Sequence, residues 1–336
     1  MKTKILITGG AGYIGSHTAV NLFKAGYLPV LLDNYCNSED WILDQINNLT
    51  GQKIKNYKVD CNNIEELDEV FQNEQLGGVI HFAALKAVGE SVNEPLKYYR
   101  NNVGSLINII DLMSKHKVPN LVFSSSCTVY GEADYLPVNE QHRIKTAESP
   151  YGCTKQMCEQ IINDCLKSTK LNNAVILRYF NPVGAHPSGL IGELPIGTPN
   201  LVPFITQTAA GIRSKLTVFG GDYNTQDGTC VRDYIHVVDL AEAHVKSLEY
   251  LELNKPSISL NIGTGKGSSV LETIKAFEKV NKLKLNYEIG PKRVGDIEQI
   301  YAETSLSEKT LGWKTQLSLE QAMRDAWKWQ QYLDAK

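Results

Sequence analysis

The sequence lacks an apolar run near the roughly 18 residues needed to span a membrane. A strand pattern begins within its first residues, from which we expect no signal peptide. The chain also lacks a large excess of positive or negative charge. The net charge is −3, with basic and acidic residues interspersed, so nothing indicates a surface for nucleic acid. No repeats or low-complexity segments occur. These absences predict a cytoplasmic globular protein with neither a membrane nor a nucleic-acid partner.

Metal-binding and disulfide patterns are missing as well. The seven cysteines are odd in number and include no C-x-x-C pair, and the seven histidines include no H-E-x-x-H pattern. We therefore expect no disulfide framework and no metal site. The length of 336 residues exceeds the usual size of a single core, which predicts a two-lobed chain.

A glycine-rich turn follows the first strand candidate. The apolar run 4–8 precedes residues 9–15, which read GGAGYIG and open an amphipathic stretch. Glycines there permit a tight turn and close approach of a pyrophosphate to a helix N-terminus. Asp33 ends the next apolar run at about the 20-residue spacing typical of a carboxylate that binds the adenosine ribose. Because an anion repels a 2′-phosphate, NAD is favoured over NADP. A glycine turn without these neighbours would be weak evidence.

Strand and helix patterns alternate through the first half. Strands are predicted at 5–8, 30–33, 55–60, 79–83, 121–126 and 174–180, and helices near 13–25, 64–72, 96–116 and 150–167. This alternation indicates an α/β protein with a Rossmann-type doubly wound parallel sheet. Ligands of such sheets bind at the carboxyl ends of the strands.

Tyr151 and Lys155 are spaced one helical turn apart. Ser149 as N-cap and Pro150 at the first helical position predict that Tyr151 lies in the opening turn of a helix. An ammonium on the same face favours the phenolate, and a serine of the run 124–126 would share a substrate's proton at the end of a strand. An ordinary surface pair is the alternative interpretation.

From about Asn181 the composition changes. Residues 181–200 are rich in glycine and proline and are predicted to be a loop, either a linker or a specificity loop. Further on, Arg232, Arg293 and Asp296 suit a nucleoside diphosphate, although surface ion pairs would give the same pattern. We expect a dinucleotide-binding domain over 1–180, open to later segments that return to it, and a smaller mixed α/β substrate lobe over 181–336. Residues 313–329 are predicted to form a C-terminal helix that packs its aromatic side chains into the core.

The chain resembles the UDP-glucose 4-epimerases (UDP-galactose 4-epimerases) of the extended short-chain dehydrogenase/reductase superfamily from residue 5 to about 330. The resemblance rests on the stretches 8–17, 32–34, 81–91, 178–189 and 231–237. The first is shared across the superfamily, whereas the last three together are close to diagnostic of the epimerases.

The resemblance implies a homodimer with tightly held NAD that interconverts UDP-hexoses at C4 through a 4-keto sugar, in galactose metabolism. It implies three catalytic roles. Tyr151 would be the base for the hexose 4-hydroxyl, Lys155 would lower its pKa and hold the nicotinamide ribose, and Ser126 would bridge substrate and tyrosine.

The same resemblance implies two sets of binding residues. The cofactor set, besides Tyr151 and Lys155, is Gly9, Gly12, Tyr13, Ile14, Gly15, Asp33, Asn34, Asp60, Phe82, Lys86, Asn101 and Tyr179. The substrate set, besides Ser126, is Asn181, Asn200, Leu201, Thr217, Phe219, Arg232, Arg293, Asp296 and Ile300, the last at the position that borders the C2 substituent of the sugar.

Cysteines replace common residues of the family at three positions. Cys127, Cys153 and Cys230 are small, so we interpret them as packing variation, with redox sensitivity as the alternative. Other functions also remain in view: a nucleotide-sugar 4,6-dehydratase, a decarboxylase, or a non-catalytic NAD-sensing protein on the same fold. A dehydratase needs an acid pair beside its catalytic hydroxyl, and residues 126–128 supply none.

Overall fold

The computed structural model describes residues 2–195, 200–293 and 296–336. The strands are β1 Lys4–Thr8, β2 Leu28–Asp33, β3 Lys55–Lys58, β4 Leu76–His81, β5 Asn120–Ser126, β6 Asn173–Tyr179, β7 Asn181–Val183, β8 Leu216–Phe219, β9 Val231–Arg232, β10 Tyr234–His236, β11 Ile258–Ile262, β12 Ser268–Ser269, β13 Tyr287–Gly290 and β14 Gln299–Ile300.

The helices are α1 Tyr13–Lys24, α2 Ile42–Thr50, α3 Ile64–Asn73, α4 Val88–Asn93, α5 Pro95–Tyr98, α6 Gly104–His116, α7 Pro150–Lys167, α8 Leu201–Ala209, α9 Val237–Glu252, α10 Val270–Asn281, α11 Ser305–Leu311 and α12 Leu319–Ala335. A π-helical turn, Tyr99–Val103, separates α5 from α6, and a 3₁₀ turn, Cys127–Tyr130, follows β5.

A seven-stranded sheet has the order β11-β6-β5-β4-β1-β2-β3 and takes six of its strands from residues 4–179 and the seventh, β11, from 258–262. The pairs of β1 with β2 and β4, of β2 with β3, and of β4 with β5 are parallel. The predicted α/β fold with a Rossmann-type sheet is confirmed. Because these strands are parallel, Thr8, Asp33, His81 and Ser126 end at one edge of the sheet.

The chain divides into two compact units. The first comprises residues 1–131, 143–178 and 241–260, and the second comprises 132–142, 179–240 and 261–336. The core of the first is built from apolar side chains of the sheet and its helices, including Leu6, Val79, Leu121 and Ile162. The dinucleotide-binding domain over 1–180 and the substrate domain over 181–336 stay a prediction.

The second unit combines small sheets with helices. Its sheets are β7 with β10, β12-β9-β14, and β8 with β13. Helices α8, α10 and α12 contribute Ile205, Ile274, Phe277 and Met323 to its core. Its strands are short, two to four residues, so side-chain packing rather than an extended ladder holds this unit together.

Two helix predictions were wrong in part. The predicted helix 96–116 is interrupted by the π-helical turn, where a buried side chain bonds to a distant loop. The predicted helix 313–329 begins only at Leu319, because Gly312 ends α11 in the left-handed conformation with φ 60° and Ser318 caps α12. Trp313 and Trp329 are nonetheless buried, as predicted.

Other elements also differ from the predictions. Helices α2, α4, α8, α9, α10 and α11 were not predicted, and residues 181–183, assigned to a loop, form β7. The predicted strand 55–60 ends at Lys58. Within residues 2–195, 200–293 and 296–336, no helix combines the length and the apolar character that crossing a bilayer requires.

Candidate active site

The opening turn of α7 is formed as the sequence predicts. Ser149 has extended backbone angles, and its hydroxyl accepts a hydrogen bond of 3.2 Å from the Gly152 amide. Pro150 occupies the first turn, where its missing N–H costs nothing. Tyr151 therefore sits at the positive end of the helix dipole, which favours an anion.

Tyr151 and Lys155 are both buried, at 8 and 4% exposure. Tyr151 packs with Leu85 and Tyr98. The Lys155 Nζ lies 5.9 Å from the centre of the Tyr151 ring and donates a hydrogen bond of 2.7 Å to the main-chain oxygen of Ser124. The ammonium is thus held beside the phenol in a place of low dielectric, where its field acts strongly.

Burial changes the protonation of two neighbouring groups. It lowers the pKa of Lys155 to about 8, against the charges of Cys158 and Glu159, which act to raise it. Burial, helped by the charge of Lys155, lowers the pKa of His81 to about 3. His81 is therefore neutral near pH 7, with its Nδ1 2.8 Å from the Thr8 hydroxyl.

Ser126 is the last residue of β5 and is also buried. Its hydroxyl oxygen accepts a hydrogen bond of 3.2 Å from the Thr128 amide and so caps the 3₁₀ turn. That bond leaves the hydroxyl proton free to be donated, since capping uses only a lone pair of the oxygen.

The glycine turn is too tight for side chains. A Cβ on Gly15 would lie 2.2 Å from the Gly9 oxygen, and one on Gly9, where φ is 68°, would lie 3.0 Å from the Ala83 nitrogen. Gly12 caps α1 with no side-chain hydrogen bond, and Tyr13 and Ile14 follow in the first turn. The amides at this end are therefore positioned for an anionic ligand.

The carboxylate of Asp33 lies at the end of β2, next to the glycine turn. Asp33 is buried, and its oxygens accept hydrogen bonds from the Ala11 amide at 3.0 Å, the Tyr35 amide at 2.9 Å and the Ser38 hydroxyl at 2.9 Å. A carboxylate has about four lone-pair positions, so the Oδ2 atom, with one donor among these three, retains room for a hydroxyl group.

Asn34, Asp60 and Asn101 belong to one hydrogen-bonded group. The Asn34 side chain donates to Asp60 at 2.8 Å, and Asn62 donates to both Asp60, at 3.1 Å, and Asn101, at 3.2 Å. Burial works to raise the pKa of Asp60, but the bonds from Asn62 and Asn34 outweigh it and lower that pKa.

The loop after β4 carries Phe82 and Lys86. Phe82 lies 4.6 Å from the ring of His244, and Lys86 is exposed. The loop is fixed by Asn102, which the sequence analysis missed. The Asn102 side chain accepts from the Leu85 amide at 2.8 Å and donates to the Leu85 oxygen at 3.0 Å. No local pattern in the sequence marked this role, because Asn102 and Leu85 lie 17 residues apart.

In the second unit, three predicted substrate residues meet. The Arg293 guanidinium lies 4.8 Å from the centre of the Phe219 ring and makes a two-pronged ion pair with Asp296 at 2.9 and 3.1 Å. Thr217 lies two residues before Phe219 on β8. The Arg293 side chain is 59% exposed, so this pair contributes little to stability, about 0–1 kcal/mol, and remains available to a ligand.

Arg232 and Ile300 are partners in the register of β9 and β14. The Arg232 Nη1 donates to the Val231 oxygen at 2.9 Å, and Ile300 is 3% exposed. Asn181 begins β7, and its amide donates to the Asp233 oxygen at 2.9 Å. Arg232 and Ile300 therefore share one small sheet, and Asn181 in the β7–β10 sheet is bonded to Asp233, the residue that follows Arg232.

The remaining predicted residues lie on other elements. Tyr179 ends β6 and is partly buried. Asn200 caps α8 and donates to Glu193 at 2.8 Å, and Leu201 is the first residue of that helix. Residues 196–199 of the predicted loop lie outside the described residues. Across the described ranges, no group of three histidine, cysteine, aspartate or glutamate side chains is placed to hold a metal ion.

Comparison with known proteins gives a consistent result. A family described as GDP-mannose 4,6 dehydratase matches residues 6–326. A UDP-glucose 4-epimerase of Dictyostelium discoideum is 49% identical over 329 residues, which cover 97% of this chain and 95% of that protein. The UDP-glucose 4-epimerase of Homo sapiens is 47% identical, covering 98 and 97%.

Solved structures agree. A UDP-glucose 4-epimerase from Stenotrophomonas maltophila with bound NAD and formylated UDP-arabinopyranose has a TM-score of 0.96 at 45% identity, covering 99% of each chain. One from Bifidobacterium longum in complex with NAD⁺ and UDP has a TM-score of 0.94 at 44% identity, covering 98% of each. With this likeness over almost its whole length, the chain belongs to the UDP-glucose 4-epimerase family of the extended short-chain dehydrogenase/reductases.

Proposed function

We propose that this protein interconverts UDP-glucose and UDP-galactose by inverting C4 of the hexose through a 4-keto sugar, as part of galactose metabolism. The observation that carries the proposal is the buried pair of Tyr151 and Lys155 in the first two turns of α7, together with the buried hydroxyl of Ser126. A phenol, an ammonium and a hydroxyl held out of water suit removal of a proton from a sugar alcohol.

The residues divide the proton chemistry among them. Tyr151 takes the proton of the hexose 4-hydroxyl, because the Lys155 ammonium and the helix dipole both favour its phenolate. The Ser126 hydroxyl forms a hydrogen bond with the 4-hydroxyl oxygen of the hexose, as donor or as acceptor. The proton returns from Tyr151 when the alcohol re-forms, so one base serves both directions.

The first unit fits NAD. The glycine turn excludes side chains where a pyrophosphate must approach, and Asp33 offers a free lone pair to a ribose hydroxyl. Bound NAD supplies a reversible hydride acceptor for C4. Gly9, Gly12, Tyr13, Ile14 and Gly15 would hold its phosphates. The others would hold its adenosine, nicotinamide and ribose groups: Asp33, Asn34, Asp60, Phe82, Lys86, Asn101, Lys155 and Tyr179.

The second unit supplies groups for a nucleoside diphosphate. Arg232 and Arg293 suit the phosphate oxygens, Phe219 offers an aromatic face to a base, and Asp296 accepts from ribose hydroxyls. Asn181, Asn200, Leu201 and Thr217 complete the proposed contacts. Since UDP is remote from C4, its binding anchors the intermediate while the sugar is held loosely enough to turn over.

A 4,6-dehydratase is the second candidate, because the matching family carries that description. Elimination of water from the sugar needs an acid beside the catalytic hydroxyl. The residues after Ser126 are Cys127 and Thr128, neither of which is an acid at neutral pH. The chemistry of this segment therefore favours epimerisation.

We infer that the protein acts as a homodimer in the cytoplasm. Exposed apolar side chains on three helices support an interface: Leu96 at 62%, Ile107 at 43% and Met157 at 44% exposure. All seven cysteines are free thiols, which suits a reducing compartment. Light scattering during gel filtration would test the dimer, and a mass of one chain would contradict it. Cell fractionation would test the location.

The decisive experiment is incubation of the purified protein with UDP-galactose and no added NAD. We expect UDP-glucose to accumulate to equilibrium, with a 4-keto-6-deoxy product absent by mass spectrometry. The Tyr151→Phe variant is the control for contaminating activity. Formation of the deoxy product would favour the dehydratase, and no reaction by NAD-loaded protein would refute the proposed function.

A further inference from the structure

Three buried polar side chains that take no part in the proposed chemistry form one network in the first unit. The Glu159 carboxylate accepts from the Arg178 Nε at 3.0 Å and Nη2 at 2.6 Å, and from the Ser125 hydroxyl at 2.5 Å. Ser125, Glu159 and Arg178 are 0, 3 and 6% exposed. Arg178 also donates to the Tyr130 hydroxyl at 3.2 Å.

The network joins elements that carry the proposed catalytic groups. Ser125 lies between Ser124, whose main-chain oxygen binds Lys155, and Ser126. Glu159 lies one turn after Lys155 on α7. Arg178 is on β6, and Tyr130 ends the 3₁₀ turn that Ser126 caps. Glu159 thus holds α7 against β5 and β6, one turn after Lys155 and two turns after the proposed base Tyr151.

Stability alone is a poor explanation for this arrangement. Removing two charges from water is costly, and a buried ion pair can often be replaced by apolar side chains without loss of stability. What an ion pair with fixed hydrogen bonds does provide is a defined geometry, because a guanidinium and a carboxylate meet in only a few orientations. The serine bond extends that geometry to β5.

We propose that Glu159, with Arg178 and Ser125, is a positioning residue that sets where Tyr151 and Lys155 of α7 stand relative to Ser126 of β5. This inference rests on the proposed function. It predicts that loosening the network lowers turnover much more than it weakens the binding of UDP-hexose and NAD, because none of the three side chains is itself a proposed binding residue and most of the proposed contacts lie on other elements.

The first test is Ser125→Ala, which removes one bond to Glu159 and keeps the ion pair. Ser247→Ala is the matched control, since Ser247 is also 0% exposed and its hydroxyl donates to the Ala243 oxygen at 2.7 Å within α9. We expect kcat of Ser125→Ala to fall roughly tenfold or more, because a misplacement of about 1 Å costs up to about a hundredfold. We expect a KM for UDP-galactose and an NAD occupancy close to those of wild type in Ser125→Ala, and an unchanged kcat in Ser247→Ala.

The second test replaces the ion pair by apolar side chains in the double variant Glu159→Leu/Arg178→Met. We expect a folded protein that binds UDP and NAD, with a kcat reduced at least as much as in Ser125→Ala. If the double variant does not fold, Ser125→Ala decides alone.

The possible outcomes distinguish failure of the proposed function from failure of the positioning role of Glu159. A wild-type protein without epimerase activity would refute the proposed function. An active wild type together with a Ser125→Ala kcat within about twofold of it would overturn the positioning role, as would a folded double variant with full turnover. A Ser125→Ala defect confined to KM would also overturn it.

Discussion

Lys155 donates a hydrogen bond of 2.7 Å from its Nζ to the main-chain oxygen of Ser124. This bond fixes a long and otherwise flexible side chain at the end of β5. The ammonium therefore keeps its place beside Tyr151 through a bond to a neutral main-chain oxygen. An ordinary surface pair, the alternative suggested by the spacing alone, is excluded by the burial of both residues.

Tyr151→Phe should abolish most of the activity while the binding sites stay intact. We expect turnover to fall by at least the ~10²-fold typical of losing a general base. NAD occupancy and UDP affinity, measured by absorbance and calorimetry, should change little because the ring remains packed against Leu85 and Tyr98. Turnover within about threefold of wild type would end the proposed role.

Asp33 should make the protein select NAD over NADP. The Asp33 carboxylate already accepts hydrogen bonds from three donors, and its negative charge repels a 2′-phosphate. Calorimetry on NAD-free protein should show that NADP binds markedly more weakly than NAD. The Asp33→Asn substitution should reduce this difference in affinity between the two cofactors. Equal affinities in the wild type would show that Asp33 does not face the ribose.

Gly15→Ala should disturb the glycine turn. The added methyl group would lie 2.2 Å from the Gly9 oxygen, so the turn or α1 must shift, at a cost of about 1–3 kcal/mol. We expect lower NAD occupancy and a lower melting temperature. Gly89→Ala in α4 is the control, because a Cβ there meets nothing within 4 Å. If Gly15→Ala and Gly89→Ala both retained full NAD occupancy, the glycine turn would not exclude a side chain at Gly15.

Lys155 should make the free energy of unfolding depend on pH in the alkaline range. Its pKa is about 8 in the folded protein and near 10.5 when unfolded, so the unfolded chain binds more protons between these values. The stability of wild type relative to Lys155→Met should therefore rise from pH 8 to 10, by roughly 2 kcal/mol. Urea unfolding at equal NAD occupancy measures this. A difference that stays constant from pH 7 to 10 would contradict it.

Ile300 should limit the size of the C2 substituent of the sugar. Its β-branched side chain is stiff and 3% exposed, so an acetamido group pressed against it would meet overpacking of about 1–3 kcal/mol. We expect roughly ten- to hundredfold discrimination against UDP-N-acetylglucosamine in kcat/KM, which Ile300→Ala should relax. Equal kcat/KM values for acetylated and plain substrates in the wild type would show that Ile300 is no gate.

Local signals allowed much of the first unit to be predicted. The bounds of α7 agree with the prediction because a serine cap and a proline mark its start unambiguously. The order of strand, glycine turn, helix and acid likewise depends on neighbours in sequence. The π-helical turn was not predictable in this way, since Asn102 bonds to Leu85, 17 residues earlier. The end of α11 is set by Gly312 alone, and the spacing of apolar residues from which helices were predicted carries no information about such a residue.

The site was predicted less completely than the fold. Its charged residues were identified by type and by family resemblance, whereas their partners are set by tertiary contacts. Glu159 carried a local signal, since it lies four residues after Lys155 on the same helical face. Its two partners, 34 and 19 residues away, carried none.

The place of β11 at the outer edge of the seven-stranded sheet has a consequence for synthesis of the chain. While the ribosome is still translating residues 180–257, β6 has no outer neighbour, and its apolar strand 173–179 presents an open edge. Nascent chains stalled in that interval should be prone to aggregate and should bind chaperones. Once β11 emerges, the edge is paired, so the final cooperative step of the sheet waits for about three quarters of the protein to be made.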